Sequence, residues 1–88
     1  MAQRQAQIAS SSGLHARPAQ LFVQAAVETG LPVTIAVAGK EPVDARSILS
    51  VMGLGISQGT TVELAAEGEG AEAALDRLVE MLETNLDE

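Results

Sequence analysis

The sequence predicts an α+β domain: a mostly antiparallel four-stranded sheet covered on one face by three helices, in the order β-α-β-β-α-β-α. Three observations lead there. Short segments alternate apolar and polar residues, the period of a half-buried strand. Between them run stretches whose apolar residues recur every three to four positions, the period of a helix with one buried face. Strands joined by a turn or by an interposed helix then stack most simply as an antiparallel sheet under a single helical layer.

The elements follow in order. Gln3 to Ala9 sets Ala6 and Ile8 on one face and Gln3, Gln5 and Gln7 on the other, a weakly hydrophobic strand. Ser10 to Gly13 is a loop. In the first helix Ala19, Phe22, Val23, Ala26 and Val27 share one face. Pro18 fits its first turn, where a missing N–H removes no intrahelical bond, and Gly30 and Pro32 end it. The helix therefore begins near Ala16, which places His15 at its N-cap.

Val33, Ile35 and Val37 alternate with Thr34, Ala36 and Ala38 in a second strand. Gly39 and Lys40 turn into a short third strand that ends near Val43. Asp44 to Met52 suggests a short helix capped by Asp44 or Ser47. Glycines 53, 55 and 59 mark a loop, and Thr60 to Ala66 is a fourth strand with Val62, Leu64 and Ala66 on one face. The last helix has the clearest pattern, an apolar stripe of Ala71, Ala74, Leu75, Leu78, Val79 and Leu82. Glu69 and Glu72 lie near its start, where the helix dipole favours negative charge.

Bulk composition narrows the function. The 88 residues make one domain, 1–88, and Phe22 is its only aromatic side chain. A core of Val, Ile, Leu and Ala leaves little material to wall a deep substrate pocket. Twelve acidic residues against five basic give a net charge of −7, which opposes binding to nucleic acid or to an anionic membrane surface. With no cysteine there is no disulfide, thiolate metal site or cysteine nucleophile. The polar start lacks the apolar stretch of a signal peptide, and the run LPVTIAVA is far shorter than the ~20 residues of a membrane span, so no membrane insertion is expected and the chain reads as cytoplasmic.

The strongest chemical signal is Gly13-Leu14-His15-Ala16-Arg17-Pro18. A helix N-terminus offers unpaired N–H groups and partial positive charge, and here an imidazole and an arginine stand at its mouth. An imidazole can attack phosphorus and later leave it, and phosphoryl transfer asks of a protein chiefly positioning and stabilisation of negative oxygens. Arg17 and the first-turn amides of Ala16 and Arg17 can supply that stabilisation. The helix dipole and Arg17 should also disfavour the imidazolium and leave His15 neutral and nucleophilic. A lone histidine at a helix start is otherwise an ordinary cap or surface residue. This one is the only histidine, and it shares a six-residue stretch with Gly, Arg and Pro.

GLHARPA followed by a helix, then SILSVMGLGISQGTTVEL and a C-terminal amphipathic helix, resembles the HPr phosphocarriers of the bacterial phosphoenolpyruvate-dependent sugar phosphotransferase system. The resemblance spans essentially the whole chain. It implies an open-faced β-sandwich, with three helices on one face of a four-stranded antiparallel sheet. It implies that His15 accepts a phosphoryl group on Nδ1 from phosphorylated Enzyme I and passes it to the IIA domains of sugar permeases. Arg17 would pair with the phosphoryl oxygens. No cofactor is bound on this reading; phosphoenolpyruvate and Mg²⁺ act through Enzyme I, and the carrier works as a monomer without turnover of its own.

Ser47 follows Arg46 and opens the short helix, so from the residues alone it is a cap. By resemblance it matches the serine phosphorylated by a dedicated kinase in many Gram-positive relatives, with an HPr kinase/phosphorylase and a transcriptional regulator as further implied partners. Ile48, Leu49 and Met52 lie close together and by periodicity alone would be core. The matching side chains of the family are partly exposed beside the histidine and, with the positions of Ala16, Gln20, Gln24 and Arg46, form the implied partner surface. Several relatives carry lysines along the first helix where Gln20 and Gln24 stand here, which leaves Arg17, Lys40 and Arg46 as the positive positions.

Three other readings compare as follows. A nitrogen-branch paralogue would use the same histidine for signalling, but Ser47 with its apolar followers favours the sugar branch. A binding module without phosphoryl transfer would not need both His15 and Arg17. A free-standing enzyme would need a second acid or base. Gly53 to Gly59 resembles a nucleotide-binding glycine motif only superficially, since the strand and helix stand in the wrong order and the Lys-Ser/Thr pair is missing. The acidic residues show no metal-ligand spacing and read as solvated surface.

Overall fold

The computed structural model describes residues 2–11, 13–14 and 16–84, with Ala16 described by its backbone alone. Its elements are β1 (Ala2–Gln7), α1 (Ala16–Glu28), β2 (Val33–Val37), β3 (Val43–Asp44), α2 (Ile48–Met52), β4 (Thr61–Ala66) and α3 (Ala71–Leu82). The strands form a four-stranded sheet in the order β1-β4-β2-β3, and every neighbouring pair is antiparallel.

Strand period and register together build the core. Ala6 faces Val62, Ile35 faces Leu64 and Val33 faces Ala66, so one side of the sheet is apolar at its centre. Against it pack Ala19, Phe22 and Ala26 of α1, Val51 of α2, and Leu75, Leu78 and Leu82 of α3. On the other side Gln3, Gln5, Gln7, Thr61 and Glu63 are exposed, as a sheet covered on one face requires. Arg4 points to the helical side, where its guanidinium bonds Asp76 at 2.9 Å and Glu72 at 3.4 Å and ties the first strand to the last helix.

Four expectations need correction. The first strand ends at Gln7 and not at Ala9, because Ile8 turns to exchange bonds with the loop before β4: its N–H reaches Thr60 O at 3.0 Å, and Gly59 N–H reaches its carbonyl at 2.8 Å. The third strand is only the pair Val43–Asp44. The short helix starts at Ile48, since Ser47 is extended (φ −108°, ψ 114°) and caps it by accepting a bond from Ser50 N–H at 3.3 Å. Val27 is 53% exposed and outside the core. At about 100° per residue it lies roughly 120° from the mean direction of Phe22 and Ala26, too far around to share their face.

Candidate functional site

Helix α1 opens at Ala16, directly after His15, which itself lies outside the described residues, as does its expected role as N-cap. The first N–H groups of a helix have no intrahelical acceptor. Pro18, fully buried, contributes none, so the first-turn N–H groups outside the intrahelical ladder include those of Ala16 and Arg17. Arg17 is exposed and has no ion-pair partner among the described residues. A guanidinium and first-turn amides at one helix mouth are suited to an anion with several oxygens.

The chain entering this turn is held from outside. Leu14 is buried and donates its N–H to Ile56 O at 3.0 Å, and Gly13 donates to Ser10 O at 2.9 Å. Gly13 has φ +78°, and a Cβ there would collide with the Ile56 carbonyl oxygen and lie 2.9 Å from Ser57 Cα. Gln58 adds a side-chain bond to Ala9 O at 3.2 Å. The glycine-containing loop after α2 thus braces the segment that leads to His15. Sequence reasoning missed this brace, because Gly13 and Ile56 are distant in sequence and only the glycine gave a signal. Gly13→Ala is expected to cost about 2 kcal/mol or more, from left-handed backbone strain plus displacement of a backbone carbonyl, read as a lowered urea midpoint at constant m-value.

Helix α2 supplies the other wall. Arg17, Gln20, Leu21, Val23, Gln24 and Ile48 line one shallow, open groove between α1 and α2. Ile48 is half-buried against the core, whereas Leu49 is 81% and Met52 45% exposed. Within this short helix the fully buried side chain is Val51; of the apolar trio, Ile48 packs against the core while Leu49 and Met52 stand outside it. Gln20 and Gln24 are exposed, and the structure brings Arg17, Gln20, Gln24 and Ile48 to one groove, while Leu49 and Met52 are exposed on the same short helix as Ile48. Of Ala16 only the backbone can be placed there.

Arg46 and Ser47 stand at the entrance to α2. Arg46 Nε bonds Asp44 Oδ1 at 3.1 Å, and the Arg46 backbone N–H bonds the same oxygen at 2.9 Å. The Arg46 side chain, and next its backbone N–H, hold the Asp44 carboxyl below its ordinary value. A depressed carboxyl contributes stability above its unfolded pKa and loses it as pH falls through the lowered folded value. Arg46→Ala is accordingly expected to move the Asp44 titration upward, measured by carboxyl carbon NMR, and to remove that part of the acid sensitivity. Sequence reasoning had treated Arg46 as a free positive position; its pairing two residues back along the chain makes it a partly neutralised one.

Among the described residues no group of three or more His, Cys, Asp or Glu side chains could hold a metal ion, and no helix is long and apolar enough to cross a membrane. A family model described as the PTS HPr component phosphorylation site matches residues 2–84. The phosphocarrier protein HPr of Streptomyces coelicolor is 51% identical over 88 residues, covering 100% of this chain and 95% of that protein. A crystal structure of HPr from Thermoanaerobacter tengcongensis superposes with a TM-score of 0.91 at 41% identity, covering 100% of this chain and 98% of the other. A phosphocarrier HPr from Bacillus anthracis gives 0.86 at 38% identity, with coverage of 92% and 95%. Fold and sequence agree over the length of the molecule, and the chain belongs to the HPr family of phosphocarriers of the sugar phosphotransferase system.

Proposed function

We propose that this chain is a cytoplasmic phosphoryl carrier that accepts its group on His15 from phosphorylated Enzyme I and delivers it to IIA domains of sugar permeases. The observation that supports this most is the start of α1 immediately after His15, with the exposed Arg17, which has no ion pair among the described residues, two residues on. The neutral imidazole nitrogen forms a bond to phosphorus as the bond from phosphorus to the donor breaks. Arg17 and the first-turn amides carry the oxygen charge during that exchange and during its reversal on the acceptor. Both partner reactions use the same geometry, and the carrier has no turnover of its own. Incubation with phosphoenolpyruvate, Mg²⁺ and cognate Enzyme I, followed by ³¹P NMR and mass spectrometry, is expected to give one acid-labile phosphate on residue 15. A folded protein that stays unphosphorylated beside an active Enzyme I would sink this reading.

Regulation at Ser47 is part of the same proposal. Its hydroxyl is the cap of α2, one residue from Ile48 and two from the exposed Leu49, so a phosphate there sets about two negative charges at the margin of the apolar surface. A kinase/phosphorylase would be the modifying partner, and a transcriptional regulator the reader of the modified form. Ser47→Asp is expected to weaken phosphorylation by Enzyme I through KM, with the amide NMR spectrum outside α2 unchanged; an unaltered KM would count against the idea.

A further inference from the structure

An open sheet edge is a template for another strand. β1 stands at one edge of this sheet and, at six residues against two for β3, is the longer edge strand. It contains no proline, and its one charged residue is Arg4. Its ladder continues at Ile8, whose N–H bonds Thr60 O, so by alternation Arg4 and Ala6 turn their N–H and carbonyl groups to β4. Gln3, Gln5 and Gln7 turn theirs to the open edge. Two side chains cover that edge. Arg4 Nη1 donates to the Gln3 carbonyl oxygen at 2.8 Å, and Asp76 on Nε and Glu72 on Nη2 hold the guanidinium in place. At the other end the Gln7 N–H donates to Glu83 Oε2 at 3.3 Å. The Glu83 backbone is fixed in turn, as the C-cap of α3 with its N–H on Val79 O. Between the two, the N–H and carbonyl of Gln5 have no partner among the described residues.

We infer that Arg4 and Glu83 bar this edge to a second copy of the chain, and that without them two β1 strands join antiparallel across a two-fold axis at Gln5. The register carries the inference. Centred on Gln5, such a pair sets Gln5 opposite Gln5 of the second copy and Gln3 opposite Gln7, so the Gln3 carbonyl would accept from the Gln7 N–H. Those are the two groups that Arg4 and Glu83 occupy. On the side away from the helices the exposed Gln3, Gln5 and Gln7 would meet as a ladder of uncharged amides, with no like charges opposed. β1 is thus complementary to itself, and the obstacle to its pairing is two side chains that bond their own strand first.

The test is the double variant Arg4→Ala/Glu83→Ala of the full chain. It loses one charge of each sign and keeps the net charge of −7, so overall repulsion between copies is unchanged. In about 0.5 M KCl, which screens the carboxylates that Arg4 leaves behind, it is expected to be at least half dimer at about 1 mM by sedimentation equilibrium, as suits a small interface. The parent protein stays monomeric under the same conditions. Concentration-dependent amide NMR shifts should centre on Gln5, whose N–H gains an acceptor when two β1 edges meet. Gln5→Pro added to the double variant removes that donor, at an edge position where proline is tolerated, and should restore the monomer. A double variant that stays monomeric, or a dimer that survives Gln5→Pro or leaves the Gln5 amide unshifted, overturns the inference. So does a parent protein that already dimerises through this edge. Glu83→Ala alone keeps the Arg4 tie to α3 and gives a second readout should the double variant fail to fold. Hydrogen exchange at the Gln7 N–H is expected to speed up about threefold or more, and an unchanged rate overturns the guard.

Discussion

His15→Ala is expected to take up no phosphate from phosphorylated Enzyme I while keeping its fold. The chain holds a single histidine and no cysteine, so no second imidazole or thiolate is there to take the phosphoryl group. The structural reason to expect a folded variant is that the chain is anchored on both sides of that position. Leu14 is buried and bonded to Ile56 on one side, and Pro18 and Ala19 are buried on the other. Arg17→Ala should separate chemistry from support: the phosphate still arrives on residue 15, about 100-fold more slowly, as for loss of one donor to a developing oxyanion. Quantitative ³¹P NMR on the three proteins side by side distinguishes these outcomes. Undiminished acid-labile phosphate on His15→Ala would move the acceptor elsewhere.

The second large effect is on stability. Phe22→Ala is expected to cost about 3–5 kcal/mol, since the ring is the largest side chain in the core and the helices around it can close the void only in part. Phe22 has no exposed surface, and it packs in one cluster with Val51 of α2, Leu75 of α3 and the apolar side of the sheet. A domain of this length holds about 5–10 kcal/mol in total, so the variant should be close to unfolding at body temperature. Urea denaturation with an unchanged m-value is the measurement, and a loss below about 1 kcal/mol would mean that the core repacks around the gap. Leu49→Ala, on the exposed side of α2, should stay within about 0.5 kcal/mol in the same assay.

Periodicity made the elements readable. The stripe Ala71 to Leu82 coincides with α3, and the alternation at Val62, Leu64 and Ala66 coincides with the buried side of β4. These signals are local, because a residue's face in a helix or strand depends on neighbours a few positions away. Register and strand order are not local, and neither the β1-β4-β2-β3 order nor the brace of Gly13 on Ile56 could be read from spacing. Val27 shows the limit of a stripe: it extends the i+4 pattern from Val23 yet falls off the edge of the buried face. At the site, the cluster from Gly13 to Pro18 was legible because its residues are contiguous. The exposure of Leu49 and Met52 came from family resemblance and not from periodicity, which would have buried them.

The sheet order has a consequence for how the molecule is made. Ala2 pairs with Ala66 and Gln7 with Thr61, so among the described residues β1, made before the other three strands, has as its one strand partner the last of them to be made. Arg4 likewise waits for Glu72 and Asp76. Through most of translation β1 has nothing to pair with, and the helix that shields the inner side of β4 is not yet synthesised. Such long-range closure delays the gain from every contact until the loop between them can shut. This domain is therefore built to close in one late step, once β4 and α3 have been made. A copy that stalls before residue 61 would present an unpaired strand edge and a bare apolar surface to chaperones and proteases.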